Sequence, residues 1–198
     1  MKDLPVTVHQ PNWDEMSPLF RKLVRRYSCA FIQNIWHLNE ETARDVAAIK
    51  DSLIPPVKYA AVQIRRGDKM KWGQIQRVPA ERIVKAIPED AEVLWVATDD
   101  YSAVEELRSL YPRPVLTSCL PAHRGSDTLS HHFLEGEAPQ LRAETLRLLA
   151  DLESCRTADW FLRILPHRKL SQNGYSRNLQ IADMISDLRF GKDEVPLL

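Results

Sequence analysis

The chain has 198 residues, of which 44% are hydrophobic, and this length is enough to bury one substantial core. Its 27 lysine and arginine residues are balanced by 27 aspartate and glutamate residues, so it offers no broad cationic field for nucleic acid or anionic lipid. No apolar run reaches the length of a signal peptide or a membrane helix, and the three cysteines fit neither a disulfide framework nor a zinc site. We therefore expect a cytoplasmic protein without a membrane span.

The first quarter of the chain predicts helices. Residues 18–38 are rich in apolar and aromatic groups, which indicates that this region is helical in part. In the segment that follows, Asn39 is suited to cap a helix in which Val46, Ile49 and Leu53 recur at helical spacing. Two prolines then end this helix, and the apolar run YAAVQI after them predicts a strand.

The middle of the chain alternates between helical and strand patterns. Pro79 fits the first position of a helix in PAERIVKAI, and AEVLWVATDD is a continuous apolar run of the kind that buried parallel strands show. The sequence YSAVEELRSLYP predicts a helix and RPVLTS a short strand, before a polar loop over residues 118–138.

The last long helix and the strand after it complete the pattern. The segment APQLRAETLRLLADLESC predicts a helix, and ADWFLRIL predicts the next strand. One face of this helix is expected to carry Leu141, Thr145, Leu148, Leu149 and Leu152.

This alternation predicts an α/β fold with a Rossmann-like parallel sheet flanked by helices. We place it in residues 41–190, after a partly helical extension over residues 1–40 and before a C-terminal tail over residues 191–198. In such folds, ligands usually bind beyond the carboxyl ends of the strands.

Two polar clusters follow predicted strands. Arg65, Arg66 and Lys69 come after one strand, and Asp99 and Asp100 come after another. The chain has only six glycines and no glycine-rich phosphate-binding motif, whereas an arginine fork can bind two phosphate oxygens. The arginines therefore indicate a local phosphate site, although adjacent arginines in a loop are also often solvated or paired with nearby acids.

Four segments carry a resemblance to a known family. AVQIRRGDK resembles the HVRRGDK or HVRRTDK signature of the α1,6- and protein O-fucosyltransferase superfamily, and VLWVATDD resembles its VFVATDD strand. LLADLESCRTADWFL resembles the helix and strand ILDIHFLSQADFLV, and LSQNGYSRNL is a looser match to SSNVSRL. The order and spacing agree over residues 40–185. The resemblance implies the donor-binding half of a GT-B glycosyltransferase that is inverting, metal-independent and specific for GDP-fucose or a related GDP-sugar.

The resemblance also implies roles for individual residues. Arg65 matches the arginine that binds the donor diphosphate, and Arg66 matches its partner, which supports the loop. Lys69 matches a lysine near the sugar and phosphate, Asp68 becomes a structural anchor for the loop, and Asp151 matches the aspartate that reads guanine. Arg65, Arg66 and Lys69 are thus the expected catalytic residues.

Further matches are looser or leave alternatives open. Ser171 and Arg177 match donor-binding positions through a gapped alignment, and Gln63 stands at a donor-site position where many members of the family have histidine. Asp99 and Asp100 match paired acids of the family, and we expect at least one of them to cap the following helix.

Two other groups of residues suggest alternative or additional sites. Trp72 follows the arginine loop and could stack on a sugar or a base, whereas Trp95 and Trp160 lie in predicted strands and are most simply core residues. The loop residues His123, Asp127, His131 and His132 could suggest a metal, but no helical or hairpin pattern holds them at ligand geometry. We expect no metal and no cofactor.

Two departures from the family open a second function. Gly73 stands where the α1,6-type enzymes have a glutamate that could serve as a base, and the residues before the resemblance are too few for an acceptor domain. We therefore expect either an enzyme that transfers the sugar to a glycan or hydroxyl-bearing acceptor, or a non-catalytic GDP-sugar-binding domain or fragment that needs a partner chain, or another copy in an oligomer, for acceptor binding. A general α/β phosphate-binding protein is the third alternative, if the motif matches are accidental.

Overall fold

The computed structural model describes residues 36–66, 77–124, 137–164 and 194–197, together with residues 27, 30, 33, 34, 185 and 189. Of the region in which partial helix was expected, residues 27, 30, 33 and 34 are helical. No helix in these described parts is long and apolar enough to cross a membrane.

Four helices and five strands alternate along the described chain. In order they are α1 (Glu40–Leu53), β1 (Tyr59–Ile64), α2 (Ala80–Ala86), β2 (Val93–Thr98), α3 (Tyr101–Leu110), β3 (Val115–Leu116), α4 (Ala138–Thr157), β4 (Trp160–Ile164) and β5 (Glu194–Leu197). The predicted α/β fold, a parallel sheet flanked by helices, is thus confirmed.

All five strands belong to one parallel sheet with the order β3-β2-β1-β4-β5. From the central strand β1 the chain adds β2 and β3 on one side, and it then returns to add β4 and β5 on the other. The order therefore reverses between β1 and β4. In open α/β sheets, the crevice beyond the carboxyl ends of the strands at such a reversal is the usual ligand site.

Helices cover both faces of the sheet. On one face, α2 and α3 pack through Ile83, Val104 and Leu107 against Val62 and Val96. On the other face, α4 packs through Leu152 and Cys155 against Ala61, Trp95 and Phe161, and α1 packs on α4. Strands buried on both faces explain why their sequences read as nearly continuous apolar runs.

The starts of two helices can be traced to particular residues. Asn39 caps α1, because its side chain accepts a 2.9 Å hydrogen bond from the backbone N–H of Thr42, as predicted. Pro79 lies one residue before the position expected for it, since α2 begins at Ala80 and the carbonyl of Pro79 accepts from Arg82.

Two expectations about the C-terminal half need correction. On α4, Leu152 is buried, but Thr145 and Leu148 are exposed, because the helix turns Ala150 and Cys155 toward the sheet instead. Residues 194–197, expected in a tail, form β5 and pair with β4 from Phe161 to Ile164. The parallel sheet therefore extends beyond the boundary at residue 190.

Candidate functional site

The two arginines that follow β1 pair with acids on different elements. Arg65 is exposed over 43% of its side chain, and its Nε lies 3.3 Å from Oδ2 of Asp99 at the end of β2. Arg66 is buried, and its two terminal nitrogens donate to the two carboxylate oxygens of Glu106 on α3 at 2.8 and 2.7 Å. One guanidinium is therefore accessible at the sheet edge, and the other is enclosed against α3.

Asp99 holds the loop after β1 against the end of β2. Its Oδ1 accepts a 2.8 Å hydrogen bond from the backbone N–H of Arg66, while its Oδ2 pairs with Arg65. Burial raises the pKa of Asp99, and the hydrogen bond from Arg66 and the charge of Arg65 oppose that rise. The sequence had assigned the anchoring of this loop to Asp68, which lies outside the described residues.

Asp100 caps α3, as expected for one of the two acids after β2. Its side chain accepts from the backbone N–H of Ser102 at 3.0 Å and from the Ser102 hydroxyl at 2.6 Å. The same hydroxyl lies 3.3 Å from Nη1 of Arg66. The start of α3 is therefore tied to the arginine loop as well as to β2.

Glu106 is shared between two arginines. Nη2 of Arg77, at the beginning of the segment before α2, lies 2.6 Å from Glu106 Oε1. The hydrogen bond from Arg66 is the main reason that the pKa of Glu106 is lowered, with a further contribution from Arg77. Two arginines pair with this carboxylate and keep its pKa low, which suits it to hold the loop rather than to accept a proton.

Asp151 brings a carboxyl group of α4 to the end of β3. Its Oδ1 accepts a 2.7 Å hydrogen bond from the hydroxyl of Ser118, which lies just after β3. Burial raises the pKa of Asp151 to about 7, although the Ser118 hydrogen bond acts in the opposite direction. This acid is therefore poised to titrate near neutral pH.

The pKa of the Cys119 thiol responds to the acids of this edge. Burial raises its pKa to about 12, and the negative charges of Asp151, Asp99 and Asp100 contribute. The carboxyl edge thus combines an exposed cation at the end of β1 with a group of acids beside β2 and β3. A ligand with an anionic part and a hydrogen-bond-donating part matches this arrangement.

Gln63 lies at the penultimate position of β1, where its backbone is in register with Ala97. Because side chains alternate along a strand, it shares with Ala61 the face that α4 covers. It is half-buried, and its predicted role in donor binding stays a prediction.

Several predicted site residues lie outside the described residues, namely Lys69, Ser171 and Arg177, together with Trp72 and Gly73. Of the loop residues considered for a metal, only His123 is described, and its carbonyl accepts from the backbone N–H of Tyr101 at 2.8 Å. Within the described segments, no three His, Cys, Asp or Glu side chains are grouped so as to hold a metal ion.

Sequence reasoning missed two residues of this edge. Ser118 was visible only as a polar residue after a strand, and nothing in the sequence connected it with a helix that begins 20 residues later, at Ala138. Glu106 lay within a helical pattern with many other charges, so that its pairing with Arg66 had no sequence signal.

No protein-family model matches the sequence, and no curated protein matches it. Among solved structures, the chain is similar to a crystal structure of POFUT1 in complex with GDP, at 14% sequence identity and a TM-score of 0.42. The similarity covers 80% of this chain and 46% of that one, so the chain spans less than half the length of POFUT1 in that structure. A likeness at this level assigns no function, which has to be inferred from the motifs and the contacts.

Proposed function

We propose that the chain binds a GDP-sugar, GDP-fucose or a near relative, at the carboxyl edge of its sheet. We further propose that it acts as an inverting, metal-independent glycosyltransferase of the fucosyltransferase type. The observation that carries this proposal is the placement of Arg65. It is an accessible guanidinium that leaves the central strand where the strand order reverses, and it lies at the same edge as Asp151.

The contacts of Arg65 suit it to bind a diphosphate. Its Nε pairs with Asp99, which holds the guanidinium near the end of β2. The side chain is nevertheless 43% exposed. A planar guanidinium can present two parallel N–H groups to phosphate oxygens. Arg66 cannot do the same without leaving Glu106, so the two arginines have different parts in this proposal.

The charge at this edge also fits the proposed reaction. Transfer forms a bond between the acceptor oxygen and C1 of fucose and breaks the bond from C1 to the β-phosphate oxygen, which leaves with the electron pair as GDP. Negative charge grows on this leaving group, so a fixed cation stabilises the transition state more than the ground state. The hydroxyl proton passes to a base or to water.

A second candidate is a GDP-sugar-binding domain without catalytic activity. Gly73 favours it, because this residue stands where related enzymes carry a glutamate that could accept the proton. In that case the donor site is the same, but a partner chain binds the acceptor.

Calorimetric titration with GDP, GDP-fucose, ADP and UDP tests the donor site. We expect GDP and GDP-fucose to bind more tightly than ADP and UDP, and we expect Arg65→Ala to weaken GDP binding by about tenfold to a hundredfold, as for a lost charged hydrogen bond. Arg82→Ala, which removes an exposed arginine of α2, is the matched control and should bind normally. Equal affinity for the three diphosphates, or normal binding by Arg65→Ala, would overturn the proposal.

Transfer from GDP-fucose separates the two candidates. Product formed with a panel of glycan and hydroxyl-bearing acceptors supports the enzyme, and Arg65→Ala should then lower the rate steeply because transition-state stabilisation is lost. Binding of GDP-fucose without transfer to any acceptor supports the binding domain.

A further inference from the structure

Ser118 lies in a turn that holds its side chain against α4. The neighbouring Thr117 hydroxyl donates to the carbonyl of Val96 at 2.7 Å and accepts from the backbone N–H of Cys119 at 3.0 Å. These two bonds fix the backbone on both sides of Ser118 relative to β2. From that fixed position, the Ser118 hydroxyl reaches Oδ1 of Asp151 at 2.7 Å.

The surroundings of Asp151 give this hydroxyl particular weight. Asp151 is half-buried, and burial disfavours the charged form of its carboxyl group. The charge of Asp151 acts on the thiols of Cys119 and Cys155. The same thiols also respond to Asp99 and Asp100 after β2 and to Arg189. The Ser118 hydrogen bond favours the charged carboxylate and so opposes the effect of burial.

We propose that Ser118 is a positioning residue for nucleotide recognition: its hydroxyl orients the Asp151 carboxyl group and favours its ionised form, in which it accepts hydrogen bonds from the N1–H and the exocyclic amine of guanine. This inference rests on the proposed function, because it assumes that Asp151 reads the base. No described residue donates to Oδ2, so that oxygen keeps its acceptor capacity for a ligand. A protonated acid would present a donor to a guanine edge that itself donates, and recognition would be lost.

The preference for GDP over ADP, measured from pH 5.5 to 8.5, tests the role of Ser118. ADP carries the same diphosphate, so the ratio of the two affinities cancels the titration of the phosphates. In the unaltered chain the preference should rise as the pH passes about 7, because Asp151 ionises there. Ser118→Ala should lower the preference at pH 7 by about tenfold and move its midpoint to higher pH, since a hydrogen bond to the charged form is lost.

Three further variants make the result specific. Ser118→Thr keeps the hydroxyl and should restore both the preference and its midpoint. Ser52→Ala removes an exposed hydroxyl at the end of α1 and should change neither. Asp151→Asn should abolish the preference at every pH.

The outcomes separate this inference from the proposed function. A wild-type preference and midpoint in Ser118→Ala, or an equal loss of GDP and ADP affinity, overturns the positioning role while the GDP site stands. Failure of the unaltered chain to prefer GDP overturns both. A carbon-13 NMR titration of Asp151 without nucleotide gives an independent readout, because Ser118→Ala should raise the midpoint of that carboxyl group whether or not GDP binds.

Discussion

Asp151 makes the stability of the fold depend on pH. Its pKa rises from 3.8 to about 7 on folding, because burial disfavours the carboxylate. Between about pH 4 and pH 7 the folded chain therefore holds a proton that the unfolded chain has lost, and the free energy of unfolding falls as the pH rises. The stabilising effect of this group is fully present below pH 4 and is lost above pH 7.

Asp151→Asn should remove this dependence. The free energy of unfolding of the variant minus that of the unaltered chain should be about 2–4 kcal/mol larger at pH 8 than at pH 4. The reason is that the unaltered chain loses stability as Asp151 ionises, whereas an amide does not ionise. Urea unfolding at both pH values measures the difference, and Asp51→Asn, at an exposed position on α1, is the control. The same wild-type-to-variant difference at pH 4 and pH 8 would show that the carboxyl group is not perturbed.

Single residues differed in how well the sequence predicted them. Asp100 was placed correctly as a possible cap because capping depends on neighbours within the same segment. The anchoring by Asp99 and the contact between Ser118 and Asp151 connect residues 33 positions apart, and local patterns do not show such pairs. The family resemblance pointed to Asp151, but not to the serine beside it.

The connection between β1 and α3 depends on Arg66. Arg66→Ala should cost about 3 kcal/mol of stability, because it removes one partner of a largely buried ion pair. Arg77→Ala is a matched comparison at the same Glu106, but its side chain is 55% exposed, so we expect a loss below about 1 kcal/mol.

Chemical unfolding of both variants measures this difference. Arg66→Ala leaves Arg65 in the chain. The folded fraction of Arg66→Ala should therefore bind GDP more tightly than Arg65→Ala does. Equal stability losses in Arg66→Ala and Arg77→Ala would show that burial does not distinguish the two ion pairs.

The sequence predicted strands well where helices cover both faces of the sheet. The strands β1 and β2 lie between two helical layers, and their apolar runs showed this directly. The buried face of α4 was harder to identify, since leucines occur at positions on several sides of that helix. β5 is short, contains Pro196 and follows a charged stretch, so its sequence resembles a tail, and only its pairing with β4 makes it a strand.

At the scale of the whole molecule, the charges are arranged locally rather than globally. Equal numbers of cationic and anionic side chains leave no net field, but the sheet order brings an accessible arginine and several acids to one edge. The sequence could indicate which residues follow strands, but not that Asp151 of α4 pairs with Ser118 after β3. That contact depends on the packing of α4 across the sheet.

This local arrangement leads to a prediction about metal ions. If Arg65 supplies the charge that binds the diphosphate, GDP affinity in excess EDTA should stay within about twofold of its value in Mg²⁺. Arg65→Ala is the informative comparison, because a diphosphate without its guanidinium should gain more from added Mg²⁺ than it does in the unaltered chain. Calorimetry with both proteins, in chelator and in Mg²⁺ or Mn²⁺, measures this interaction between the variant and the ion. Loss of GDP binding by the unaltered chain in EDTA, with recovery on adding either ion, would instead mean that the acids at this edge bind the nucleotide through a metal and that Arg65 has another role.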